Sequence, residues 1–270
     1  MNKRVHRLIC LICFLSLLLC GCGLFDAANY NKNGDLHSIS DSAFEALQKE
    51  SVDDTTKNMD ETAHNEAQKS PVIRIACVGD SLTWGQALNN TQSANPYPKI
   101  LQEKLGAEEY LVKNFGASGR VMSEGYREET WDRSYNLTSA YRDSIAFCPD
   151  IVIICLGTND AAKCDVTSDE GKAHFLQSAK NLIADYREAG ATEIYLCLPP
   201  YNSNASYSRM LERRVLPLIQ QSAEENSLHL IDFFTPTYHQ NNYLLSDSLH
   251  LTDEGYALMA QIVFDSIIKK

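Results

Sequence analysis

Five short runs of β-branched and aliphatic residues recur from about Pro71 onward: "VIRIACVG", "YLVKNFG", "DIVIICLG", "EIYLCLP" and "LHLID". Most are almost continuously apolar, as strands buried on both faces should be. Helical patterns separate them, in "PYPKILQEKLG", "SAYRDSIAF", "EGKAHFLQSAKNLIADYREAG" and "SYSRMLERRVLPLIQQSAEEN", and "TDEGYALMAQIVFDSIIKK" closes the chain. Thr252 is placed to cap that last helix, with Asp253 and Glu254 in its first turn. Strand alternating with helix predicts a doubly wound α/β domain, a parallel sheet covered on both faces. Ligands of such sheets gather at the carboxyl ends of the strands, so the residues just after each strand carry the most information.

Ser81, in "ACVGDSLTWG", follows the first of these strands. A serine there can serve as a nucleophile, as a phosphate-binding hydroxyl or as a helix cap. Gly116 follows the second strand and Gly157-Thr158-Asn159-Asp160 the third, while His250 sits in the loop before the last helix. All of them are expected on one rim of the sheet. A serine hydroxyl is a weak nucleophile until a base takes its proton. The α/β region has four histidines, of which His174 lies in a helical pattern and His229 in a strand, both positions that suit a structural role. His239, in the loop "TYHQNN", is a minor candidate for the base. His250 is the main one, because Asp247 stands three residues before it in "SDSLHLT". A carboxylate so placed can hold the imidazole Nδ1–H and leave Nε2 to accept the serine proton. Acyl transfer also needs donors for the developing oxyanion, and the N–H groups of Ser81 and Gly116 and the Asn159 amide are of the right kind.

Taken together, "GDSL" (79–82), "NFGASG" (114–119), "GTND" (157–160) and "DSLH" (247–250) resemble the SGNH, or GDSL, hydrolase family. The resemblance runs from about Val72 to the C-terminus with the blocks in family order. It implies a five-stranded parallel sheet of flavodoxin-like order. Residue by residue, Ser81 resembles the nucleophile, Gly116 and Asn159 the oxyanion donors, and Asp247 and His250 the rest of a catalytic triad. The implied reaction is ester hydrolysis through an acyl-serine intermediate, without a metal or organic cofactor. Other motifs do not fit "ACVGDSLTWG". It lacks the G-x-S-x-G of an α/β-hydrolase and the lysine of a P-loop, and "GASGR" does not have the spacing of a dinucleotide fingerprint.

The N-terminus predicts location. "MNKRVHR" is basic, and the apolar run "LICLICFLSLLL" is short of the roughly 20 residues of a membrane span. It ends in "LCGC", which resembles a bacterial lipoprotein signal whose lipidated cysteine would be Cys22. Residues 1–22 are then a signal peptide, and the acyl chains on Cys22 anchor the protein to the outer face of the cytoplasmic membrane, or to an outer membrane. Residues 23–70 are polar and read as a disordered tether, leaving 71–270 as the catalytic domain. A formal net charge of -11 argues against a nucleic-acid partner. Beyond Cys22, Cys77, Cys148, Cys155, Cys164 and Cys197 make an odd set without C-x-x-C spacing, so neither zinc nor thioredoxin chemistry is indicated.

For the substrate, the resemblance points toward the carbohydrate O-acetylesterase branch, with acetyl as the expected acyl group. Trp84, Trp131, Tyr135 and Tyr201 are candidates to stack on sugar rings. A lysophospholipase, lipase or thioesterase of the same family, and a surface binding domain without catalysis, are the alternatives.

Overall fold

In the computed structural model the described residues are 72–269, except 126, 129 and 130, with the side chains of 127, 128 and 131 also undescribed. The expected signal peptide, Cys22 and tether lie outside the described residues. Five strands form one parallel sheet: β1 (Ile73–Gly79), β2 (Tyr110–Gly116), β5 (Ile151–Cys155), β6 (Glu193–Leu198) and β7 (His229–Asp232), in the order β2-β1-β5-β6-β7. Two two-residue strands, β3 (Arg127–Glu128) and β4 (Trp131–Asp132), pair as a separate antiparallel ribbon. Counted among the five long strands alone, the order is the flavodoxin-like one, and its reversal falls between β1 and β5.

Side chains alternate along each strand, so one strand feeds two cores. In β1, Ala76 and Val78 pack toward α5 (Asp169–Glu188) and α6 (Leu216–Glu225), through Phe175, Ile183, Tyr186 and Ile219. Ile75 and Cys77 face the other way, toward α2 (Tyr97–Leu105) and α8 (Asp253–Ile268), meeting Tyr97, Leu101, Met259 and Val263. Ser208–Met210 and a π-helical turn, Leu211–Val215, lead directly into α6. The central strand β5 is buried along its whole length, whereas β2 alternates and β7 exposes His229 and Leu230. Continuous apolarity thus belongs to the middle of the sheet, and the edge strands are only half covered.

Thr252 caps α8, accepting from the Gly255 N–H at 3.3 Å. The five described cysteines all keep their thiols, with no bridge between Cys148 and Cys164. Cys77, Cys155 and Cys197 are buried on the α2/α8 side of adjacent strands. Burial pushes the Cys77 thiol well up, which makes it a packing group rather than a nucleophile.

Candidate active site

The chain leaves β1 through Gly79 and turns at once into the short helix α1 (Ser81–Trp84). Asp80 caps that helix, its Oδ1 accepting the Leu82 N–H at 2.9 Å, and Gly85 ends it in the left-handed conformation, φ 89°. A Cβ on Gly79 would lie 2.2 Å from Thr83 Oγ1 and 2.4 Å from the Cys155 carbonyl oxygen. One on Gly116 would lie 2.1 Å from the Trp84 backbone nitrogen. The two glycines therefore let the turn bearing Ser81 sink between the ends of β5 and β2. That is the crevice at the sheet's reversal point.

His250 reaches Ser81 from the opposite end of the chain. Its Nε2 is 2.9 Å from Ser81 Oγ, and its Nδ1 is 2.6 Å from Asp247 Oδ2. The carboxylate can only accept, so Nδ1 carries the proton and Nε2 accepts from the serine hydroxyl. Asp247 Oδ1 accepts the N–H groups of Leu249 (3.0 Å) and His250 (2.9 Å). Partial burial would raise the Asp247 pKa, but the hydrogen bonds from the His250 ring and the two backbone N–H groups outweigh it and hold the carboxyl below its usual range. The loop is closed on itself by Ser248 N–H to Leu245 O (2.9 Å) and Leu245 N–H to His250 O (2.8 Å). It is also braced from the β6 side, where Ser203 and Asn204 donate their N–H groups to Ser248 O. Ser81 and His250 are both buried, each 7% exposed.

Two buried carboxylates support the rim. Asp160, first residue of α4 (Asp160–Lys163), accepts from the Met122 N–H, the Ser123 N–H and the Ser123 hydroxyl, clamping the loop after β2 to the turn after β5. Asp80 Oδ2 accepts from Asn159 Nδ2 at 3.2 Å. Burial, with the neighbouring Asp160 charge adding to it, pushes the Asp80 carboxyl up to about 7. Burial likewise raises Asp160, against its three donors.

Several sequence expectations need revision here. The Gly116 N–H is donated to Asn114 Oδ1 at 2.9 Å, so an oxyanion would have to compete with that side chain for it. The role of Gly116 is steric, admitting the Trp84 backbone. Gly119, in the same block, adopts φ 74°, and no hydrogen bond among the described residues uses its N–H. It is the second glycine of "NFGASG". The Ser81 N–H opens a helix and has no carbonyl four residues back to bond. Asn159 Nδ2 already donates to the Arg120 carbonyl (3.0 Å) as well as to Asp80. Tyr135 does not reach solvent: it is 1% exposed and its hydroxyl donates to Phe115 O at 2.7 Å, so it is a core residue that cannot stack on a sugar. Trp84 ends α1, half-buried beside the nucleophile turn, and Tyr201 is half-buried in an aromatic group after β6. The Trp131 ring is outside the described residues. His239 belongs to the Tyr201 group and makes no hydrogen bond to Ser81, and His229 packs on Tyr195. His174 bonds the Glu124 carbonyl. Among the described residues, no group of three or more His, Cys, Asp or Glu side chains could hold a metal ion.

The sequence model of the GDSL-like Lipase/Acylhydrolase family matches residues 77–258, from β1 into α8. The chain belongs to this family. The reaction class that goes with it is carboxylic ester hydrolysis. An acetylxylan esterase of Xylanibacter ruminicola is 28% identical over 223 residues, covering 74% of this chain and 44% of that protein. The chain thus spans less than half the length of this curated relative. Among solved structures, the lipase/acylhydrolase from Enterococcus faecalis superposes with a TM-score of 0.54 at 23% identity, covering 73% of this chain and 95% of that one. A carbohydrate acetylesterase family member from Sinorhizobium meliloti gives 0.54 at 19% identity, covering 73% and 97%. At these identities the two structures speak for the fold, an α/β five-stranded parallel sheet of SGNH type.

Proposed function

We propose that the protein is a serine esterase that removes short acyl groups, acetyl foremost, from carbohydrate, working at the bacterial cell surface on a lipid anchor at Cys22. The observation that carries the mechanism is the continuous chain of contacts from Ser81 Oγ through the His250 ring to Asp247. Ser81 Oγ attacks the ester carbonyl while His250 Nε2 takes its proton, and Asp247 stabilises the imidazolium through Nδ1–H. The tetrahedral oxyanion is met by the N–H of Ser81, by that of Gly119 in place of Gly116, and by Asn159. Asn159 serves by sharing the Nδ2 proton that points to Asp80, the longer of its two contacts. The imidazolium then protonates the departing alkoxide. Water, deprotonated by the same nitrogen, attacks the acyl-serine and releases the carboxylic acid. Every step uses this chain's own groups. The choice of carbohydrate is supported by the likeness to an acetylxylan esterase.

The test compares the full chain with Ser81→Ala on p-nitrophenyl acetate, butyrate and octanoate, then on acetylated xylan and O-acetylated sialic acid. Serine-dependent activity confined to acetyl, with acetate released from a glycan, is the expected result. A preference for octanoate would move the assignment to a lipase or lysophospholipase. A folded sample without serine-dependent turnover would leave a binding domain.

A further inference from the structure

The coil after β6 and the start of the segment after β7 carry a group of rings that the chemistry above does not use. Tyr201 lies 5.3 Å from Tyr238, 5.0 Å from His239 and 6.1 Å from Phe234, centroid to centroid, and Tyr238 and His239 are 4.1 Å apart. Such groups are ordinarily core. This one is open: Tyr238 is 38% exposed and His239 is exposed as well. His239 also holds φ 56°, a left-handed conformation that a residue with a Cβ adopts only at a cost and that gathers at ligand sites. The adjoining Asn202 is 2% exposed, yet neither its Oδ1 nor its Nδ2 has a partner among the described residues. An amide held that way costs stability unless something satisfies it.

Three residues of chain, 201–203, tie the cluster to the loop that presents Asp247 and His250. The Tyr201 N–H donates to Thr237 Oγ1 at 2.8 Å, which fixes the coil to α7 (Phe234–Thr237). Two residues on, the Ser203 N–H donates to Ser248 O at 3.0 Å, inside the loop that presents Asp247 and His250. Tyr238 Oη stands 3.4 Å from Glu212 Oε1 at the cluster's outer edge. Apolar ring faces bordered by an imidazole and a carboxylate match a pyranose, whose C–H face is apolar and whose rim is all hydroxyl.

We propose that Tyr201, Tyr238 and His239 form a subsite for the sugar ring next to the one that carries the acyl group. This rests on the carbohydrate reading above. The subsite makes an oligosaccharide a better substrate than a small ester, by binding a part of it that does not react.

The experiment measures kcat and KM of the full chain in detergent on acetylated xylo-oligosaccharides and on p-nitrophenyl acetate, for the wild type, Tyr238→Ala, His239→Ala and Tyr238→Phe. The expected result is a rise in KM of about tenfold on the oligosaccharide for both alanine variants, equivalent to about 1.4 kcal/mol. Both kcat values stay the same, the nitrophenyl ester is turned over as before, and Tyr238→Phe stays near wild type because it keeps the ring. Equal losses on both substrates would mark the rings as structural, and an unchanged oligosaccharide KM would leave them without a binding role; either overturns the subsite while the carbohydrate reading stands. A wild type that cleaves the nitrophenyl ester but releases no acetate from any saccharide overturns that reading, and the subsite with it.

Discussion

The carboxyl ends of β1 and β5 and those of β6 and β7 belong to one rim but are built on opposite terms. At β1 and β5 the residues are small or fully buried: Gly79, Asp80, Thr83, Gly157, Asn159 and Asp160, with backbone packed so closely that a single Cβ on Gly79 would collide with two neighbours. At β6 and β7 the residues are large and partly open, with the rings of Tyr201, Phe234, Tyr238 and His239 meeting edge-on or tilted. The first region fixes atoms to within the tolerance that proton transfer requires, and it does so from the ends of strands and a capped helix. The second is a loop surface, where a change of ring alters what is held without disturbing the chemistry. On the proposed reading, reaction and recognition are thereby separated along the sheet.

That separation can be broken from its rigid side. Ser81→Ala should lower kcat by roughly 10⁴-fold or more on every ester, with KM little changed, as measured by steady-state kinetics on p-nitrophenyl acetate. Asn159→Ala should cost on the order of 10²–10³-fold in kcat, because it removes an oxyanion donor. A full rate in that variant would take Asn159 out of the mechanism and leave the oxyanion to backbone N–H groups.

Asp80→Asn sharpens the comparison further, since it exchanges a buried acceptor for an amide at nearly constant shape. Weakening the hydrogen bond to Asn159 should reduce kcat by about tenfold, in line with about 1.4 kcal/mol for one net hydrogen bond. The same variant has a signature in stability. The Asp80 carboxyl is raised from 3.8 to about 7 by burial, so the folded protein holds its proton more tightly than the unfolded chain. Its contribution to stability is complete below about 3.8 and is lost as the pH rises through about 7. Asp160 shifts in the same direction. Thermal unfolding followed across that window should therefore show a shallower decline with rising pH in Asp80→Asn than in the wild type. An identical slope would mean that Asp80 titrates as it does in the unfolded chain. The smallest effect is expected at Tyr135→Phe, which deletes the bond to Phe115 O and should cost about 1 kcal/mol in denaturant unfolding while leaving turnover intact.

Much of this was legible in the sequence, for reasons that can be named. The strands announced themselves because β1, β5 and β6 are buried on both faces and so are written almost wholly in apolar residues. Asp247 and His250 were legible because a spacing of three within one loop is a local feature, and the structure does bring both to Ser81. What the sequence concealed depends on contacts made at long range. Nothing in "NFGASG" says that the Asn114 side chain turns back on the Gly116 N–H while the Gly119 N–H is used by no hydrogen bond among the described residues. Tyr135 sits in a polar stretch, yet a carbonyl on β2, twenty residues away, accepts its hydroxyl in the core. His239 was weighed as a base, and only the packing of Tyr201 and Tyr238 around it gives it a different setting.

The loop holding Asp247 and His250 precedes α8, and α8 is the last helix of the sequence. Ser81, by contrast, follows the first strand. On a ribosome or a translocation channel, the proposed nucleophile therefore emerges long before the group that activates it. Until α8 docks on Tyr97 and Leu101, the emerging polypeptide carries an ordinary alcohol. On the proposed mechanism, a product truncated anywhere before Asp247 would be inert rather than a wandering hydrolase.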